Sequence, residues 1–267
     1  MLLTRSVIKI VFRYIKYFVR AKNKNSVHDP FVFDLYTKVI LADKNFYAFE
    51  DIAAVRSMLE KNKTEINVTD FGTGSQAKNN NRKQKISDIA KNAAKKEKIG
   101  KLLTALCDYF QPETAMELGT SFGISTLYQY SGMKQAQWIT FEGCRETSKI
   151  AKKVFQSCQA NGIKVIVGDF NQTLSNQLEK VTDLDYVFFD GNHQKQPTIE
   201  YFELCLKKSH EGTLFVFDDI HWSKDMEQAW KYIQNHPSVT VTIDLFWLGL
   251  VFFRKELPKE NYTLSLP

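Results

Sequence analysis

Glu117-Leu-Gly-Thr-Ser-Phe-Gly123 carries two glycines between a predicted strand and a predicted helix, and it indicates the fold class of this chain. A short apolar run, Thr114 to Leu118, leads into it, and a helical pattern follows from Ser121 to Tyr130. The next apolar run, Gln137 to Glu142, ends in an acid 25 positions after Glu117. A site that binds a nucleotide needs four parts in this order: a strand, a glycine turn, the start of a helix, and a second strand that ends in an acid. The acid can hold the ribose.

Short apolar runs and amphipathic helices continue to alternate after this stretch. Further strands are predicted at Lys164–Val167, Asp185–Asp190 and Thr213–Asp218, and further helices at Glu146–Asn161, Gln172–Lys180, Gln196–Ser209 and Ser223–Asn235. Val239–Leu245 and Gly249–Phe253 are too close for a crossover helix, so they should pair as a hairpin. The pattern predicts an α/β fold that is Rossmann-like and doubly wound, with a mostly parallel seven-stranded sheet ending in a C-terminal antiparallel hairpin.

The first hundred residues lack this alternation and are predicted to form a mainly helical N-terminal extension, residues 1–100, ahead of the site domain, residues 101–267. Asp29 and Pro30 should cap a helix that runs to Ile40. We also expect helices at Phe49–Asn62 and Ile86–Lys98, a strand at Ile66–Phe71 and a polar loop at Gln76–Lys85.

A second glycine motif, Asp70-Phe-Gly-Thr-Gly-Ser75, competes with the first. No second strand or ribose acid follows it at a suitable distance. We therefore expect a structural turn or part of a lid at this place. Neither motif is the G-x-G-x-x-G of dinucleotide enzymes, which disfavours hydride transfer.

The positive charge of the chain is local. The formal net charge is +6, and the first 25 residues carry seven bases and no acid, which leaves the other 242 residues at −1. The segment Gln76 to Lys98 is basic but lacks interleaved aromatic residues. Nucleic acid is therefore not an expected partner.

The basic N-terminal segment, residues 1–25, is predicted to form an amphipathic helix. Its bases recur every three or four residues from Arg5 to Arg20 and occupy a narrow sector of the helical wheel. Two interpretations stay open: the helix lies on an anionic membrane surface, or it packs on its own domain with a solvated basic stripe. The four cysteines show no metal-ligand spacing, which favours reduced thiols and a cytoplasmic location.

The quoted motif and the acids at the strand ends resemble those of the class I S-adenosylmethionine-dependent methyltransferases, and within them the catechol O-methyltransferase-like group, over Leu102 to Phe253. The resemblance implies that S-adenosylmethionine binds at the glycine turn, with Glu142 on the ribose. The implied cofactor-binding residues are Glu117, Gly119, Thr120, Ser121, Gly123, Glu142, Asp169 and Phe170.

The resemblance also implies a divalent-metal site, here for Mg²⁺, at Asp190, Asp218 and Asp219. The chain departs from the family at Asp219, where the animal enzyme has an amide. His193 lies three residues after Asp190, where the family carries its catalytic lysine, so His193 is the expected base and Asp190 a catalytic residue. His221 and Trp222 would wall the acceptor pocket.

The expected function is O-methyl transfer to a small hydroxylated acceptor, with or without the assistance of a divalent metal. One alternative is a nicotinamide-dependent oxidoreductase, because Glu142 would serve a ribose in either class. Another is a non-catalytic membrane-surface binding module on a methyltransferase-like fold.

Overall fold

The computed structural model describes residues 2–69, 81–93 and 96–266. The helices are α1 (Leu2–Arg20), α2 (Pro30–Leu35), α3 (Ala48–Lys61), α4 (Ile86–Ala93), α5 (Glu97–Phe110), α6 (Ile124–Gly132), α7 (Arg145–Ser157), α8 (Phe170–Leu178), α9 (Lys195–Leu206) and α10 (Lys224–Asn235). The strands are β1 (Glu65–Thr69), β2 (Asn81–Lys85), β3 (Thr114–Leu118), β4 (Gln137–Glu142), β5 (Ile163–Val167), β6 (Leu184–Phe189), β7 (Ser209–Asp218), β8 (Val241–Asp244), β9 (Leu248–Phe252) and β10 (Glu260–Thr263).

The chain divides into two compact units, Ala42–Thr182 and Met1–Leu41 with Asp183–Pro267. We call them the glycine-turn unit and the terminal unit. In neither unit does a described helix have the length and apolar character needed to cross a membrane.

The glycine-turn unit is built on three parallel strands in the order β3-β4-β5. Their side chains are largely apolar, and Met116, Trp138 and Phe141 are completely buried. β3 and β4 are buried on both faces, as is typical of parallel strands, and this matches their continuous apolar runs in the sequence. β5, at the edge, is partly exposed. Helix α5 runs across residue 100, where the N-terminal extension predicted from the sequence ends. It is linked to α6, because Thr104 Oγ1 in α5 donates to the carbonyl of Tyr128 in α6 at 2.7 Å.

A separate two-stranded antiparallel ladder joins β1 to β2 in the same unit. The prediction of a loop over Gln76–Lys85 is therefore wrong for residues 81–85. The sequence Asn-Arg-Lys-Gln-Lys has no apolar alternation, and the strand forms because β1 supplies its backbone partners, as in the pair Ile66 and Gln84. The motif Asp70–Ser75 and the rest of the loop lie outside the described residues.

The terminal unit holds five strands in the order β10-β8-β9-β7-β6. β6 and β7 are parallel, whereas β9 is antiparallel to both β7 and β8, so the expected C-terminal hairpin is confirmed. β10 runs parallel to β8 and was not expected, because Tyr262 is the one buried residue in its polar sequence. Apart from the β1–β2 ladder, the glycine-turn unit has three strands and the terminal unit has five, which makes eight where the sequence predicts seven. The α/β class with a mostly parallel sheet is confirmed.

The start of α2 in the terminal unit is set by a local cap. Asp29 Oδ1 accepts from the backbone N–H of Val32 at 2.9 Å, and Pro30 opens α2, as the sequence predicts. One π-helical turn, Tyr36–Ile40, continues α2. A parallel bridge between Lys22 and Leu264 fixes the segment after α1.

Candidate active site

The glycine turn after β3 needs its glycines for two separate reasons. Gly119 and Gly123 have φ of 108° and 83°, values that side-chain-bearing residues rarely adopt. A Cβ on Gly123 would also lie 2.3 Å from Cε1 of Phe155. The backbone N–H groups of Gly119 and Thr120 both donate to the carbonyl of Phe141, each at 3.0 Å, which ties the turn to β4.

Glu117, the acid at the start of the motif, is completely buried. Its carboxylate accepts from Ser125 Oγ at 2.9 Å, Gln129 Nε2 at 2.8 Å, Thr140 Oγ1 at 2.7 Å and the hydroxyl of Thr126. Burial raises the pKa of Glu117 to about 7, against the lowering effect of these hydrogen bonds. Glu117 therefore joins β3, β4 and α6 beneath the turn.

Glu142 ends β4 with its carboxylate against the turn. One oxygen accepts from the backbone N–H of Ser121 and the other from the backbone N–H of Cys144, both at 2.8 Å. Burial raises the pKa of Glu142 to about 7, although both N–H groups act to lower it. The structure thus brings Glu142 together with the glycine motif, as a ribose-binding acid requires.

Asp169 and Phe170, which the resemblance implies as cofactor contacts, lie just after β5. Asp169 caps α8, and its Oδ1 accepts from the backbone N–H of Asn171 at 3.0 Å. The half-buried ring of Phe170 lies edge-on to Phe141, with 6.3 Å between the ring centroids. Both residues lie in the glycine-turn unit with the other expected cofactor contacts.

A second group of functional side chains lies in the terminal unit. Asp190 directly follows β6, His193 comes three residues later, and Asp218 ends β7. One potential ligand atom from each of these residues lies within 4.8 Å of those of the other two, and His193 Nε2 is 3.7 Å from Asp190 Oδ1. We call these three residues the Asp-His-Asp cluster. Asp219 is not among them; its backbone has φ of 53°, and its N–H donates to the carbonyl of Trp247 at 2.7 Å.

The Asp-His-Asp cluster fits a divalent cation chemically. Two carboxylates this close repel each other, and a cation would offset that repulsion. Carboxylate oxygens suit Mg²⁺ and Mn²⁺, and an imidazole suits several transition metals. In the same loop, the buried Oδ1 of Asn192 has no hydrogen-bond partner among the described residues. An unpaired buried oxygen is costly, so it favours an occupant that brings positive charge or donors.

Asn192 was missed by the sequence reasoning. Only its position between Asp190 and His193 could have pointed to it.

His221 and Trp222 differ from each other in their surroundings. His221 Nε2 lies 2.8 Å from Asp244 Oδ2, and its ring stacks on Phe246. Burial acts to lower the pKa of His221, but the hydrogen bonds and charges of Asp244 and Glu227 raise it overall. The side chain of Trp222 is half exposed. Their expected role as pocket walls remains a prediction.

Two comparisons of the sequence agree with this geometry. Residues 116–220 match the protein family described as a methyltransferase domain. The chain is 29% identical over 124 residues to a catechol O-methyltransferase of Niastella koreensis, covering 45% of this chain and 55% of that protein. The chain thus spans about half the length of this curated relative.

The fold is shared with solved structures. An O-methyltransferase from Bacillus cereus in complex with SAH superposes with a TM-score of 0.56 at 19% identity, covering 83% of this chain and 97% of that one. An O-methyltransferase from Streptomyces achromogenes, solved with SAM, gives a TM-score of 0.56 at 18% identity, covering 84% and 96%. The predicted resemblance to the class I methyltransferases is therefore confirmed: residues 116–220 match a methyltransferase domain, and the fold is shared with O-methyltransferase structures.

Proposed function

We propose that the protein is an S-adenosylmethionine-dependent methyltransferase that acts on an oxygen of a small hydroxylated acceptor. The observation that carries this proposal is the carboxylate of Glu142, held against the glycine turn by the N–H of Ser121. The similar proteins, which include O-methyltransferases solved with SAM or SAH, support the same donor.

The residues of the turn hold the donor. Gly119 and Gly123 let the backbone approach the methionine part, with Thr120 and Ser121 beside its carboxylate. Glu142 accepts from the ribose hydroxyls, and Asp169 with Phe170 borders the adenine. Glu117 acts indirectly, since its four hydrogen bonds fix the shape of the turn.

The acceptor is activated at the Asp-His-Asp cluster. Asp190 and Asp218 would hold a divalent cation such as Mg²⁺, and Asp219, which directly follows Asp218 but is not part of the cluster, is proposed as a further ligand. A bound cation would make an acceptor hydroxyl more acidic. His193 takes the acceptor's proton. The acceptor oxygen then bonds to the methyl carbon as the carbon–sulfur bond breaks, which leaves S-adenosylhomocysteine.

A methyl-transfer assay tests this function. Purified protein is incubated with radiolabelled S-adenosylmethionine and a panel of ortho-dihydroxyphenols, with Mg²⁺ or with a chelator. The proposal requires label in the phenol and a strong loss with chelator. Label in amines but not in phenols would contradict the oxygen acceptor. His193→Ala should abolish turnover while Mn²⁺ affinity stays unchanged; weakened Mn²⁺ binding would make His193 a ligand instead of the base.

We also propose a cytoplasmic location with membrane contact through residues 1–25, and a lid or partner-contact role for the rest of the N-terminal extension, residues 26–100. The four cysteines are all free thiols, which supports a reducing compartment. Exposed apolar side chains on α1 support the membrane contact.

A further inference from the structure

Helix α1 exposes a continuous apolar surface. Six large side chains on it are between 51% and 78% exposed: Ile8, Val11, Phe12, Ile15, Phe18 and Val19. At 3.6 residues per turn these positions fall within an arc of roughly 120°. We call this set the apolar arc. A monomeric protein rarely exposes so many large apolar side chains together, so the apolar arc marks an interaction surface.

The opposite side of α1 is anchored within the terminal unit. Tyr17 is buried, and its hydroxyl donates to the carbonyl of Leu264. The ring of Tyr14 meets Phe246 edge-on, with 4.9 Å between centroids. Arg13 donates to Glu227 at 3.0 Å and to the carbonyl of Trp222 at 3.1 Å. The helix is therefore held in place while its apolar arc stays exposed.

Basic residues border the apolar arc. Lys9, Lys16 and Arg20 are exposed on the adjoining side of α1, and the exposed Lys22 and Lys24 follow it. The first 25 residues contain no acid that could neutralise them. Apolar side chains beside a basic edge are the pattern of a helix that lies in the interface of an anionic membrane.

We propose that α1, while docked through Arg13, Tyr14 and Tyr17, binds the surface of an anionic lipid membrane. The inference rests on the membrane contact proposed for residues 1–25. The apolar arc enters the boundary between headgroups and acyl chains, and Lys9, Lys16 and Arg20 contact the headgroups. A second copy of this chain is disfavoured, because a symmetric contact would bring the same uncompensated bases together.

Vesicle sedimentation of the full chain tests the proposal. The vesicles are phosphatidylcholine alone or phosphatidylcholine with phosphatidylserine at roughly 7:3, in physiological salt. The wild type should bind the mixed vesicles at least about 10-fold better than the neutral ones. The double variant F12E/F18E should lower binding to mixed vesicles at least about 10-fold.

The matched control is Y47E/M58E, which places the same two charges at exposed apolar positions outside α1. It should sediment like the wild type. Equal losses in both double variants, or no sedimentation of the wild type, would overturn the proposal. Light scattering that shows a dimer disrupted only by F12E/F18E would assign the apolar arc to a second copy instead.

Circular dichroism and S-adenosylmethionine titration on the same samples separate this inference from the proposed function. F12E/F18E should remain folded and bind S-adenosylmethionine like the wild type. If the wild type bound lipid but did not bind S-adenosylmethionine, the methyltransferase proposal would be refuted and the proposal of membrane binding by α1 would be retained.

Discussion

The acids near the strand ends are arranged differently in the two units. In the glycine-turn unit, the carboxylates of Glu117 and Glu142 accept hydrogen bonds from donors of the same unit. In the terminal unit, Asp190 and Asp218 come together with His193 so that their ligand atoms converge. Acids near strand ends can therefore either stabilise a binding turn through hydrogen bonds or converge as possible ligands of a cation. The surroundings of each acid distinguish these two roles.

The largest effect is expected at the Asp-His-Asp cluster of the terminal unit. Asp190→Asn should lower methyl transfer by about 10³-fold, because a bound cation contributes several kcal/mol at the transition state. Mn²⁺ binding should be lost, and S-adenosylmethionine affinity should hold within about 2-fold, since the donor's contacts remain.

Asp183→Asn is the matched control, because Asp183 is an exposed acid just before β6. It should leave all three measurements unchanged. Unchanged turnover in Asp190→Asn would refute the role of Asp190.

The next effect concerns the glycine turn. Gly123→Ala should destabilise the protein by about 3 kcal/mol, because the new Cβ meets the Phe155 ring at a φ of 83°. Donor binding should weaken with it. Urea unfolding measures the change, and Gly212→Ala is the control, since its Cβ would meet only the exposed side chain of His210. Equal stability of wild type and Gly123→Ala would contradict the geometry of the turn.

A third effect tests whether Glu117 is structural. Burial raises its pKa from 4.5 to about 7, so the folded state binds the proton more tightly than the unfolded chain. The contribution of Glu117 to stability is therefore full below about pH 4.5 and is lost as the pH rises through about 7. Relative to Glu117→Gln, wild-type stability should fall by about 3 kcal/mol over that interval. Parallel pH profiles for the two proteins, from urea unfolding, would argue against this.

The smallest effect is the pH dependence of S-adenosylmethionine binding that Glu142 causes as the ribose acceptor. Its pKa is raised to about 7 by burial, and the protonated acid accepts ribose hydroxyls poorly. The dissociation constant for S-adenosylmethionine should therefore rise about tenfold for each pH unit below 7. Glu142→Gln should bind weakly with a flat profile, and the control Glu146→Gln should keep the wild-type profile. A sloping profile in Glu142→Gln would assign the dependence to another group.

The sequence predicts the fold where side-chain patterns determine it. β3 and β4 have the predicted bounds, and the ends of β6 differ from the prediction by one residue. These strands could be predicted because strands of a parallel sheet are continuous apolar runs between helices, and such runs are visible in the sequence. β2 and β10 were missed because their strand state depends on backbone partners distant in sequence. The Asn192 oxygen and the hydrogen bonds around Glu117 depend on three-dimensional packing, which a motif does not encode.

Isothermal titration with S-adenosylmethionine, and separately with NADH, tests whether the glycine turn and Glu142 bind a methyl donor. We expect one S-adenosylmethionine to bind per chain, NADH not to bind, and Glu142→Ala to abolish the binding of the donor. Binding of NADH in place of S-adenosylmethionine, or S-adenosylmethionine binding that survives intact in Glu142→Ala, would contradict the account.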